Sequence, residues 1–253
     1  MKQGENLFIG AGNYARLVTD AAFHESLWTS LLYTAVVVFI EFTLGLLIAE
    51  LLTTQVGRGF RNAVNLLIIV PVMMTPVVVA LMWKILFMHP SFGLFNYGLS
   101  LLGLQGQAWL GNYATAMPSV ILVDIWEWSP FVVLVLVSSM SGLPTEQFEA
   151  SRVDGASGWQ IFRYISLPLL KPAILVVLLI RIMDAFRVFD TIFMMTKGGP
   201  GSSTEVLSIL IYLQAFPFFR MGYASAMSYV MMFIIDGIST ALIYLLYKTA
   251  KGD

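Results

Sequence analysis

The segment EASRVDGASGWQIFRYISLP, residues 149–168, is a polar island between two apolar runs. It carries Glu149, Arg152, Asp154 and Arg163 in a chain that is 58% hydrophobic and only 11% charged. A soluble domain of 253 residues needs far more polar surface than this. Mean hydropathy is +0.81, and several runs approach the roughly 20 apolar residues that cross a bilayer as a helix. The chain is therefore read as an all-α integral membrane protein, with the island as a connection between two of its spans.

Composition also excludes classes of chemistry. A net charge of −1 without a basic tail argues against nucleic acid as a partner. Cysteine is absent, which removes disulfides and thiolate catalysis. His24 and His89 are the only histidines; they are expected in separate loops without carboxylates at ligand spacing, so no metal site is expected. A polar leader containing Gly4, Glu5, Asn13 and Asp20 precedes the first apolar run near Leu27, unlike the order of a cleaved signal peptide.

The apolar runs predict one polytopic helical bundle, 1–253, with about five transmembrane helices at 27–52, 63–87, 117–141, 172–195 and 224–247. Pro71, Pro76, Pro118 and Pro130 fall within these runs and are expected to kink rather than break them. One set of connections holds seven of the fourteen basic residues: Arg58, Arg61, Arg152, Arg163, Lys171, Lys248 and Lys251. The opposite set holds four, Lys2, Arg16, Lys197 and Arg220, and Lys84, Arg181 and Arg187 lie in or at the ends of spans. By the positive-inside rule the island faces the cytoplasm and the N-terminus lies outside.

Within the connection 144–171, Thr145 after Pro144 is placed to cap a short helix through Phe148, Glu149 and Ala150. Gly155 suits the left-handed end of that helix. Ser157 and Gln160 have capping-box spacing for a second helix, with Trp159, Phe162 and Ile165 on an apolar face and Pro168 as its stop. The residues alone leave two readings of this helix–turn–helix elbow: an amphipathic loop on the lipid interface, or a surface shaped for a partner.

Glu149-Ala150-Ser151, Asp154-Gly155, Ile165 and Leu167-Pro168 together resemble the EAA signature of bacterial ABC importer permeases. Ser151 replaces the usual second alanine and keeps the position small. The segments FRVFDTIFMMTKGGP from Phe186, GYASAMS from Gly222, FGLFNYGL from Phe92 and FIGAGNY from Phe8 resemble the carbohydrate-uptake branch of that family. The resemblance implies that Glu149, Ala150, Ser151, Asp154, Gly155, Ile165 and Pro168 form a coupling loop fitting a cleft on an ATP-hydrolysing subunit. It implies a second permease, two ATPase subunits carrying ATP and Mg, an extracytoplasmic solute-binding protein, and a prokaryotic cytoplasmic (inner) membrane. The FIGAGNY segment normally follows a first transmembrane helix; the resemblance thus implies either loss of that helix or a start further upstream.

No catalytic constellation is visible. In Gly198-Gly199-Pro200-Gly201, Lys197 precedes the glycines instead of following them, so a turn is expected rather than a phosphate loop. Glu41, Glu50, Asp124, Glu127, Arg181, Asp184, Arg187, Asp190 and Asp236 lie in or near the apolar runs, where a central charge costs roughly 2.5–3.5 kcal/mol and must face a cavity or another charge. Arg181, Asp184, Arg187 and Asp190 alternate in sign at three-residue steps, which permits pairing along one helix or a polar lining for a hydroxyl-rich solute. Glu127 and Trp128, next to Trp126, form a second candidate for sugar contact; membrane-interface anchoring is its alternative. The function expected is a permease for a disaccharide, oligosaccharide, polyol or glycerol phosphate. The competing class is a self-sufficient channel or ion-coupled carrier using the buried carboxylates.

Overall fold

The computed structural model describes residues 9–54, 64 and 68–250. Arg58, Arg61, Lys2 and Lys251, used above for orientation, lie outside them. The described residues are helical throughout, joined by turns and loops, and begin with α1 (Gly12–Thr19) and α2 (Ala21–Thr54). Next come α3 (Pro76–Met82, running into a π-helical turn Trp83–Phe87), α4 (Leu94–Leu101), α5 (Tyr113–Ser141) and α6 (Thr145–Val153). A single rod, α7, joins Gly158–Ile161, a π-helical turn Phe162–Ser166 and Leu167–Phe186. Last are α8 (Asp190–Met195), α9 (Leu207–Ala215) and α10 (Met221–Ala250).

Four stretches among the described residues are long and apolar enough to cross a membrane: Ala21–Thr53, Tyr113–Ser141, Gly158–Met195 and Met221–Lys248. The expected run 63–87 differs. Residues 68–73 are helical, Thr75 is extended with φ −76° and ψ 142°, and a shorter apolar helix restarts at Pro76. The ring of Pro76 disfavours helical geometry at Thr75, yet its fixed φ suits the first turn of the next helix. It breaks the run instead of kinking it. Pro118 and Pro130 do stay inside an unbroken α5.

The expected run 172–195 also divides, ending α7 at Phe186 and turning through Arg187–Phe189 into α8. Its start moves the other way. Pro168 does not stop a helix, because Pro168 lies in the first turn of the stretch Leu167–Phe186, directly after the π-helical turn. A proline ring clashes with the carbonyl four residues back, here Tyr164; the wider π turn is where that carbonyl lies. His24, expected in a loop, belongs to the first turns of α2.

α2 packs along α5, and Gly45 marks the closest approach: a Cβ built there would lie 2.5 Å from Cγ1 and 2.8 Å from Cβ of Val132. Small residues at such crossings let membrane helices approach closely, since apolar transfer supplies no driving force between helices already in lipid. Gly45→Leu is expected to destabilise the bundle by about 1–3 kcal/mol through overpacking. Thermal unfolding of the purified protein in detergent measures this, and Val132→Ala, which removes the nearest atom, should recover part of the loss.

Three apolar clusters hold the helices together. One joins α2, α3, α5 and α8 through Val37, Val79, Trp83, Val123 and Ile192. A second joins α2, α7, α9 and α10 through Phe23, Phe186, Leu207 and Met227. The third joins the far ends of α2 and α5 to α7 through Ala49, Leu136 and Val177. α9, with nine residues, rises about 13 Å, too short to cross a bilayer. Its first turn is held where Ser30 Oγ accepts from Leu207 N at 2.7 Å.

Residues 198–201, expected as a turn, form one. Gly198 and Gly201 have φ of +91° and +59°. Thr204, fully buried, donates to the Gly199 carbonyl at 3.0 Å and lies 2.7 Å from the Thr196 hydroxyl. α1 lies against the start of α10: the Arg16 guanidinium sits 4.3 Å from the Tyr223 ring centroid, and the Tyr223 hydroxyl donates to Asp20. That hydrogen bond, with those from the Phe23 and Ala22 amides, holds the Asp20 carboxyl below its ordinary pKa. Two segments distant in sequence, GNYARL and GYASAM, are thereby joined.

Candidate functional site

Two places collect the polar groups: the elbow at one end of α7 and a charged cluster at the other. Pro144, not Thr145, occupies the cap position of α6, and no side chain caps that helix; Thr145 is its first helical residue. The end of α6 is closed as the sequence predicts. Gly155 takes φ +79°, the Ala156 amide donates to the Ser151 carbonyl at 2.9 Å, and the Gly155 amide to the Arg152 carbonyl at 3.1 Å. This is a Schellman motif, in which a left-handed residue lets the chain satisfy the last helical carbonyls.

α7 then starts with the capping box: Ser157 N donates to Gln160 Oε1 at 2.7 Å, and Gln160 N to Ser157 Oγ at 3.4 Å. The turn between the two helices is thus defined at both ends by hydrogen bonds. Glu149, Ala150, Asp154 and Gly155 are exposed, with Ser151 half-buried and its hydroxyl on the Phe148 carbonyl at 2.9 Å. Ile165 is half-buried in the π-helical turn and Pro168 is exposed.

Val153, Trp159 and Tyr164 are 87%, 70% and 73% exposed, so apolar surface is presented around this turn. Trp159 stays on the expected apolar face, its ring 5.6 Å from that of Phe162, and that face is exposed at Trp159. A cleft of about 590 Å³, lined by Leu47, Leu51, Phe148, Trp159 and Phe162 with Arg152 at its edge, separates the elbow from the end of α2.

At the other end, Arg181 is 1% exposed. Its Nε and Nη2 donate to both oxygens of Glu41, at 2.7 and 2.9 Å, the forked pairing that a guanidinium makes with a carboxylate. Nη2 also reaches Asp124 at 2.8 Å and Nη1 reaches Asp184 at 3.0 Å, and the guanidinium lies 4.7 Å from the Trp128 ring centroid. The Tyr33 hydroxyl donates to the second oxygen of Asp124. One cation thus ties α2, α5 and α7 together.

The four-residue ladder expected on one helix is only partly formed. Arg187 Nη2 is 4.0 Å from Asp184, while its Nε donates to the Met183 carbonyl at 3.0 Å. Asp190 lies beyond the turn, as the first residue of α8. Asp124, Trp128, Asp184, Arg187 and Asp190 nevertheless converge on one cavity of about 140 Å³, whose wall also includes Pro76, Val188 and Phe189. Glu127 is 1% exposed, with neither carboxylate oxygen hydrogen-bonded.

Trp126 packs edge-on against Trp83, at 5.6 Å between ring centroids, and belongs to the apolar core. Asp236 is exposed on α10 and has no part in the cluster. Tyr33 was not singled out from sequence. Its spacing of eight residues from Glu41 puts both on one helical face, a signal readable only once Glu41 is known to matter.

A membrane bundle with a rigid elbow at one end and a charged cavity at the other is the architecture of a transporter subunit. Residues 27–249 match the family of binding-protein-dependent transport system inner membrane components, and the chain belongs to that family. Among its relatives is a probable ABC transporter permease of Sinorhizobium fredii, 37% identical, with 96% of this chain and 78% of the relative aligned. The trehalose/maltose transport system permease of Thermococcus litoralis is 34% identical, over 98% of this chain and 82% of its own. The sulfoquinovosyl glycerol transport system permease of Agrobacterium fabrum is also 34% identical, over 96% and 77%. The fold matches a bacterial ABC transporter involved in alginate import with a TM-score of 0.86, at 24% identity, covering 96% of this chain and 85% of that one.

Proposed function

We propose that this chain is one permease subunit of an ATP-driven importer of a sugar or sugar-like solute, embedded in the inner membrane of a prokaryote. It pairs with a second permease and two ATPase subunits that carry ATP and Mg, and it receives solute from an extracytoplasmic binding protein. The elbow, residues 144–171, lies on the cytoplasmic side and transmits nucleotide-driven movement through Glu149, Ala150, Ser151, Asp154, Gly155, Ile165 and Pro168. Asp184, Arg187, Asp190 and Trp128 line part of the solute path, with Arg181 and Glu127 behind its wall.

The elbow carries this reading. It is rigid by its own hydrogen bonds, yet exposes Val153, Trp159 and Tyr164, apolar surface that a partner would cover. The sugar assignment draws on relatives that carry trehalose/maltose and sulfoquinovosyl glycerol names. An ion-coupled carrier is not favoured, since it would need neither the elbow nor the family's binding protein.

Purified alone, the chain is expected to hydrolyse no ATP. Coexpressed with a partner permease and ATPase subunits and supplied with a binding protein, it should copurify with the ATPase subunits and show ATP turnover that the loaded binding protein stimulates. ATP turnover by the single chain, or failure to retain any ATPase subunit, would overturn the reading.

A further inference from the structure

We propose that the cavity between α5, α7 and α8 acts as a charge filter, accepting uncharged or cationic polyhydroxylated solutes and rejecting anionic ones. The inference rests on the reading of this cavity as part of the solute path and adds a substrate class to it. Three carboxylates, Asp124, Asp184 and Asp190, are on the wall, against one cation, Arg187. Arg181 offers an incoming anion little, because Glu41, Asp124 and Asp184 already hold its guanidinium at 2.7–3.0 Å. Trp128 covers one side of that guanidinium. Arg187 itself lies 4.0 Å from Asp184.

Even with Arg181 counted beside Arg187, the wall carboxylates Asp124, Asp184 and Asp190 outnumber the cations. An excess of one charge in a cleft between low-dielectric walls focuses its field and alters local ion concentration and encounter rates, by about 10–10³-fold where the lining is of one sign. Carboxylates also accept hydrogen bonds from the hydroxyls of a neutral sugar, whereas a solute carboxylate, sulfonate or phosphate meets mainly acceptors, with Arg187 as the one cation on the wall. The alginate transporter is involved in the import of an acidic polysaccharide, so this filter would separate the present chain from it in specificity.

This chain has no cysteine, so a thiol introduced into it is a defined reporter once the partner subunits are made cysteine-free. Val188 lines the cavity, and Val188→Cys is nearly isosteric. In the assembled transporter, the introduced thiol is reacted with cationic trimethylammonium-ethyl methanethiosulfonate and with the anionic sulfonatoethyl analogue, each rate divided by that for a free small thiol. Phe189→Cys, on the same wall, replaces it where assembly suffers.

The cationic reagent is expected to react at least about tenfold faster, and Asp184→Asn with Asp190→Asn should collapse that ratio to near unity. MgATP with vanadate is the second arm: a thiol in a moving path changes its rate with both reagents together. Equal normalised rates that still respond to nucleotide overturn the charge filter and leave the path reading standing. A charge-selective thiol that ignores nucleotide overturns the path reading, and the filter with it.

Discussion

Arg181→Met is expected to lower the stability of the bundle by roughly 3–5 kcal/mol, the loss typical when one partner of a buried ion pair is removed. The substitution keeps an unbranched apolar stem but withdraws the donors from Glu41 and Asp124, which are 0% and 3% exposed and would remain as uncompensated acids. Neither can turn to water. The result should be a protein recovered in poor yield, with a melting transition lowered by many degrees in detergent. The triple variant Arg181→Met, Glu41→Gln, Asp124→Asn removes the orphaned charges and should regain most of the loss, since replacing a whole buried ionic group is often neutral or better. A single variant as stable as the parent would show that the cluster does not hold the helices together.

Gly155→Val and Glu149→Lys should have the second largest effect, on coupling rather than on folding. At Gly155 a Cβ meets nothing within 4 Å, so the cost arises in the backbone: a β-branched residue is forced to φ +79°. The left-handed penalty is about 1–2 kcal/mol. Relaxing φ breaks the two Schellman hydrogen bonds and swings α6 relative to α7. Glu149→Lys leaves the helix intact and reverses an exposed charge on it. In the assembled transporter both are expected to reduce ATPase retention, or to cut solute-stimulated ATP turnover by about tenfold, a coupling change of about 1.4 kcal/mol. Solute affinity of the isolated binding protein stays unchanged. Gly155→Asn, a residue that tolerates the left-handed region, should be milder than Gly155→Val. Parental coupling in both variants would make the elbow a membrane-surface loop only.

The parts legible from sequence are those whose signal is local. α2, α5 and α10 are long apolar runs, and α5 stays whole around Pro118 and Pro130 because its neighbours on both sides keep it packed. Gly155, Ser157 and Gln160 encode the elbow in side-chain chemistry spanning six residues. What escaped was set by geometry between elements. The helices α8 and α9 have six and nine residues, too short for a membrane-span pattern. Pro168 reads as a stop because sequence spacing does not reveal a π-helical turn just before it.

The charges show the same division. Glu41 and Arg181 each stand out as costly in an apolar run, but they are 140 residues apart in sequence, and nothing in either run says they meet. The expected ladder followed helical spacing through Asp190, whereas the chain turns at Arg187 and brings Asp190 to the same cavity from a different helix. The three residues share a cavity through the turn between two helices, not through their spacing on one.

Because Gly158–Ile161, Phe162–Ser166 and Leu167–Phe186 form one continuous rod, α7 is a lever of about 43 Å at 1.5 Å per residue. Its short arm ends in the elbow and its long arm ends beside Asp184 and Arg187. Pivoting the rod by about 5° at the elbow displaces the far end by about 4 Å, roughly the width of a carbon atom's van der Waals contact. A small tilt imposed at the elbow would thus reach the cavity end as a displacement of molecular width, with no messenger between them except the stiffness of the helix.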